Sequence, residues 1–133
     1  MFNMLKNFRT LMLIGLLLLS SVNALAQPQT YIFVSFSMPD AALKEYYLEA
    51  QQTGAILVMQ GLRDNSFMQT RDKAMELGIN FNIDPNLFEE YQIKQIPVII
   101  VDDGKGFVKK LTGHIPLSEV LKIMEKDDYK NLP

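Results

Sequence analysis

The chain has no cysteine in its 133 residues, and that absence removes a whole branch of chemistry. Disulfide exchange, thiolate attack and sulfur-ligated metal sites all need a sulfur that is not there. Small exported domains often lean on disulfides, so this one is expected to be held by its apolar core alone. Histidine is almost as scarce. His114 is the only one, and a single imidazole among scattered carboxylates does not make the usual His-rich metal site; it reads as a loop residue. Basic runs are missing too, and the net charge is −2. Nucleic acid is therefore not expected as a partner, because phosphate binding depends on clustered Lys and Arg. There is no internal repeat and no low-complexity tract. Gly104-Lys105-Gly106 is a hairpin turn rather than a phosphate loop, since no helix follows it, and no cofactor motif is found.

What is present begins with an address. Lys6 and Arg9 precede the apolar run Leu11 to Leu19, and Ala24-Leu25-Ala26 supplies a small-x-small cleavage signal, the three-part pattern of a secretory signal peptide. Polar Ser20, Ser21 and Asn23 close the run short of the ~20 apolar residues that a stable membrane anchor needs. The organisation expected is a signal peptide over 1–26 and one domain over 27–133. Lys6 and Arg9 leave with the signal, so thirteen basic residues become eleven against fifteen acidic ones, a mature charge of −4. Lipid anchoring would need a cysteine at the new N-terminus.

Along the mature chain, Gln27 to Thr30 reads as a linker and Tyr31 to Phe36 as a buried strand of β-branched and aromatic residues. Ser37-Met38-Pro39-Asp40 has the composition of a helix start, with Ser37 as N-cap and proline in the first turn. The helix carries Ala41, Leu43, Tyr46, Tyr47 and Ala50, and Gly54 ends it. Ala55 to Met59 is a second strand, so the crossover is parallel and right-handed. Gly61 to Asn65 is a loop, and Ser66 opens a helix with Phe67, Thr70, Ala74 and Leu77 on its apolar side. Ile79 to Ile83 alternates with the strand period. Asp84-Pro85 caps a brief helix, and Val98 to Val101 and Phe107 to Leu111 form a hairpin. Ser118-Glu119 begins the last helix, with Val120, Leu121, Ile123 and Met124 on its apolar face. Periodicity alone yields an α/β sandwich.

Asn82-Ile83-Asp84, Tyr91, Ile93, Ile96-Pro97 and Gly104 resemble the corresponding stretch of thioredoxins, which implies a cis bond at Ile96-Pro97 and a thioredoxin-like three-layer sandwich with an inserted helix. Phe33-Val34-Ser35-Phe36-Ser37-Met38-Pro39, Gly61-Leu62-Arg63, Asn65-Ser66-Phe67, Ile83-Asp84-Pro85-Asn86-Leu87-Phe88 and Tyr91-Gln92-Ile93 together resemble the TrbC family of F-type conjugative transfer systems. The match runs from about Tyr31 to Glu125. The resemblance implies a periplasmic component for assembly of the conjugative pilus, part of a type IV secretion apparatus, acting with proteins such as TraW. A peptide-binding chaperone for pilin or another exported subunit is the alternative.

No residue set supports catalysis. Ser37 has no visible base to activate it. The acid pairs Asp102-Asp103 and Asp127-Asp128 read as solvated charge, and Lys105, Lys109 and Lys110 as lysines guarding a sheet edge. What remains is a surface. In thioredoxin-like proteins the backbone before the cis-proline pairs with an extended peptide beside the first helix, a strand addition that needs no sulfur. The resemblance therefore implies a groove of Ser37, Met38, Pro39, Ile96 and Pro97, in which the flexible thioether of Met38 suits varied contacts; the bland alternative is that these residues only complete the fold. Gly61-Leu62-Arg63 and Asn65-Ser66-Phe67 form a second candidate surface, against the reading of Phe67 as core and Asn65-Ser66 as turn and cap.

Overall fold

The computed structural model describes residues 27–113 and 115–125. The expected signal segment, His114 and Asp127-Asp128 lie outside these. Strand β1 (Gln29–Val34) leads to helix α1 (Asp40–Thr53), strand β2 (Ile56–Met59), a 3-10 turn (Arg63–Asn65) and helix α2 (Phe67–Leu77). Then come β3 (Asn82–Ile83), α3 (Pro85–Glu90), the hairpin β4 (Val98–Asp102) and β5 (Val108–Thr112), and α4 (Leu117–Glu125). The sheet order is β3-β2-β1-β4-β5. β1 runs parallel to β2 and antiparallel to β4, which puts β1 at the centre.

A central strand covered on both faces should be apolar at every position rather than at alternate ones. Ile32, Phe33 and Val34 are all fully buried. The strand period then deals them to two cores. Ile32, Val34, Leu57, Met59 and Ile99 pack with Leu43, Tyr46 and Ala50 of α1, Leu77 of α2 and Val120 of α4. Phe33, Val58, Val98 and Ile100 face the other way and pack with Phe88 of α3, where the Phe33 and Phe88 rings meet edge to face at 4.9 Å. Each layer follows from alternation along three neighbouring strands. Burial pushes the Tyr46 phenol up to about 12, with Glu49 and Glu45 adding to the shift.

Helix ends follow local chemistry in most places. Gly54 and Gly78 close α1 and α2 in the left-handed conformation, where a Cβ is strained. Ser66 accepts from the Gln69 N–H, and Asp84 accepts from the Leu87 N–H, both as expected of caps.

Four expectations need correction. The linker ends early, because Gln29 and Thr30 already pair with Asp102 and Val101 of β4. Ser37 is not the cap of α1. Pro39 holds that position without a side-chain hydrogen bond, while Ser37 sits two residues too early and bonds to the Ser35 hydroxyl through both its N–H (3.1 Å) and its own Oγ (3.0 Å). The buried alanine of the first turn is Ala42, and Ala41 is exposed. Phe67 is not core but 69% exposed. The first turn of α2 is instead anchored through Thr70, whose hydroxyl donates to the Ser66 carbonyl and accepts from the Arg63 N–H. Among the described residues, no helix is long and apolar enough to cross a membrane.

Candidate functional site

In open sheets with helical crossovers, clefts form beyond the carboxyl ends of the parallel strands. Here that end gathers three loops. Ser35 to Ser37 leave β1 in the middle, Gln60 to Asp64 leave β2 on one side, and Ile93 to Ile96 enter β4 on the other. They bound a cleft of about 810 Å³ with Val34, Met59 and Phe88 in its apolar lining.

The cleft joins the two surfaces that the sequence reading kept apart. Ser37 and Ile96 line it together with Gly61, Leu62 and Arg63. The other three groove residues sit differently. Met38 is half-buried and packs against the core of α1, Pro39 is exposed over a shallow depression with Ala41, Ala42 and Glu45, and Pro97 is buried at the cis Ile96-Pro97 bond. The lining also includes Met59, Phe88, Asp64 and Lys94, none of which the sequence marked as site residues. Only Asp64-Asn65 carried a signal, since Asp and Asn tolerate the left-handed conformation and both adopt it, with φ of 49° and 52°. Gln92, next to the third loop, has φ 52° as well. Non-glycine residues held in this region are strained and cluster at functional sites.

Each wall is fixed from outside. The first loop is closed on itself by the paired hydroxyls and by the Met38 N–H donating to the Ser35 carbonyl at 3.1 Å. Behind it, Lys73 of α2 reaches Asp40 in the first turn of α1 at 2.9 Å. That hydrogen bond raises the Lys73 pKa and places a carboxylate at the helix N-terminus. The third loop is tied to the hairpin. Tyr91 Oη donates to Asp102 Oδ2 at 2.7 Å, and Lys110 Nζ donates to the Tyr91 and Gln92 carbonyls. The acid pair of the hairpin is thus structural rather than solvated, with Asp103 accepting from the Lys105 and Phe107 N–H groups. Among the described residues, the main-chain N–H groups of Lys94, Gln95 and Ile96 donate to no other residue. They offer an unpaired strip of backbone along one wall.

The Tyr91 hydrogen bond, helped by the Gly104 N–H, holds the Asp102 carboxyl below its ordinary range, while burial and Asp102 push the Tyr91 phenol up. A depressed carboxyl contributes stability above its unfolded value of about 3.9 and loses it as pH falls through the folded value. Tyr91→Phe is expected to cost about 1–2 kcal/mol at neutral pH. The gap from wild type should narrow below about pH 4, which urea unfolding of both proteins across that range checks.

Comparison with known proteins supplies the context. Residues 32–122 match the family model described as type-F conjugative transfer system pilin assembly protein. The periplasmic protein TrbC of Escherichia coli K12 is 30% identical over 97 residues, covering 68% of this chain and 44% of that protein. The chain thus spans less than half of that relative. Among solved structures, DsbF of Mycobacterium tuberculosis, seen in mixed oxidised and reduced forms, superposes with a TM-score of 0.57 at 15% identity, over 78% of this chain and 83% of that one. The exposed lipoprotein thioredoxin of Streptococcus pneumoniae gives 0.56 at 16% identity, over 79% and 88%. The likeness to these two lies in the fold: a thioredoxin-like sheet with its helices, in a chain without cysteine.

Proposed function

The chain belongs to the type-F conjugative transfer system pilin assembly family, and from that premise we propose that its domain is a redox-inactive docking component in the assembly of the conjugative pilus. The observation that carries the reading is the cleft, where two stretches bearing the family pattern, Ser35 to Ser37 and Gly61 to Arg63, meet beside an unpaired backbone strip. Free main-chain donors next to half-buried Phe36 and Ile96 suit an extended segment added as a strand, with side chains seated in the cleft for specificity. The place of work is the periplasm, a reading supported by the signal pattern at the N-terminus and by the location in the relative's name. The partner we favour is a periplasmic assembly protein of the TraW kind, rather than pilin held as an unfolded client.

Thiol exchange has no reactant in this chain. Insulin disulfide reduction with the purified protein is expected at the buffer rate, and turnover above buffer would overturn redox inactivity. The partner is tested by capturing the tagged full chain from the periplasm of cells carrying a type-F transfer system. A folded assembly protein recovered from wild type and lost in a cleft variant is the expected result. Recovery of pilin alone would replace docking with a chaperone role.

A further inference from the structure

The cleft's charge is at odds with the rest of the molecule. The chain carries more acidic than basic residues, yet among the described residues the charged ones lining the cleft are two cations and one anion, Arg63, Lys94 and Asp64. Arg63 Nε lies 4.0 Å from Asp64 Oδ2, at the outer limit of an ion pair, with the two side chains 41% and 67% exposed. Its guanidinium donates to no other described residue, and Lys94 has no ion-pair partner among them. One long cationic side chain thus stands on each side of the cleft with no strong ion pair competing for it.

Their placement adds the second constraint. Arg63 follows β2 and Lys94 precedes β4, with the Ser35 to Ser37 turn of β1 between them. Two strand spacings separate the flanks, about 10 Å, which an extended chain covers in about three residues. Between the cations the lining is uncharged and mixed, with Ser35, Ser37 and Gln60 beside half-buried Phe36 and Ile96. Resting on the docking reading above, we propose that the cleft selects an extended partner segment with an acidic side chain on each side of a short uncharged run. A phosphorylated or polyanionic ligand suits it less, because Asp64 stands on the same rim.

The test uses fluorescent, end-capped peptides built on one extended scaffold, in which a valine–leucine pair is flanked by two aspartates, two asparagines or two lysines. The aspartate peptide is expected to bind the full chain about tenfold tighter than the asparagine peptide, with the lysine peptide weakest. Added salt should shrink the difference. The double variant Arg63→Glu with Lys94→Glu changes two exposed side chains and should reverse the order while leaving thermal unfolding unchanged. Equal binding of the three peptides, abolished by Gly61→Trp, would overturn the acidic preference and leave the docking cleft standing. Binding that is absent for all three, or indifferent to Gly61→Trp, would overturn the cleft reading and this inference with it.

Discussion

Gly61→Trp is expected to abolish pilus assembly and partner capture without lowering the melting temperature. The position separates function from folding unusually well. Gly61 lines the cleft, its φ lies outside the left-handed region, and a Cβ built there meets nothing within 4 Å. A side chain at this position therefore brings neither backbone strain nor a clash at its first atom, and an indole extends into the space a partner segment would occupy. Filling the centre of an interface typically costs what losing a hot spot costs, at least about 2 kcal/mol or roughly 30-fold in affinity. The check is complementation: cells lacking their own family member are supplied with wild type or variant, and pili, transfer frequency and periplasmic protein level are measured together. Normal level with lost transfer is the expected result. Normal transfer would mean that the cleft is not where the partner sits.

Phe33→Ala should have the largest effect on stability, about 3–5 kcal/mol. Phe33 is fully buried on the central strand, and its ring meets Phe88 edge to face and Tyr91 at 6.0 Å. Truncation removes the transfer energy of the ring and leaves a void between β1 and α3, a face covered by one short helix. Domains of this size are stable by about 5–15 kcal/mol, so the variant sits near the threshold of folding, and no disulfide holds it. Its melting temperature should fall by about 15–30 °C. Phe33→Leu, which keeps most of the volume, should lose much less. Similar losses for the two would mean that the α3 face is loosely packed. Because Phe88 belongs both to this core and to the cleft lining, Phe33→Ala should weaken docking as well.

Much of this architecture is legible in local chemistry. Ile32 to Val34 are apolar without alternation because β1 is covered on both faces. Gly54 and Gly78 end helices where a left-handed residue is needed, and Ser66 and Asp84 cap them. Local chemistry misleads where one residue has competing partners. Ser37 has the composition of a cap but bonds to Ser35 instead, because Pro39 occupies the helix start. Phe67 fits the apolar period of α2 yet lies exposed on its first turn, where buried Thr70 is the residue that holds the Arg63 N–H. Asp102 looks like turn charge until Tyr91 reaches it across the fold. The cleft has no local signature. Its three loops are distant in sequence, and only the order β2-β1-β4 makes them neighbours. Ser37 and Ile96 from one expected surface thus meet Gly61 to Arg63 from the other, beside Lys94, which carries no local signal at all.

The most direct test of docking through this cleft is site-specific photocrosslinking in cells with an active type-F transfer system. A photoreactive amino acid is placed at Gln60 or Gln95, both exposed and both lining the cleft, and at exposed Gln52 near the far end of α1 as control. One protein of the transfer system should appear in adducts from both cleft positions and be absent from the control. Adducts of equal yield from Gln52, or none from Gln60 and Gln95 while transfer proceeds normally, would contradict it.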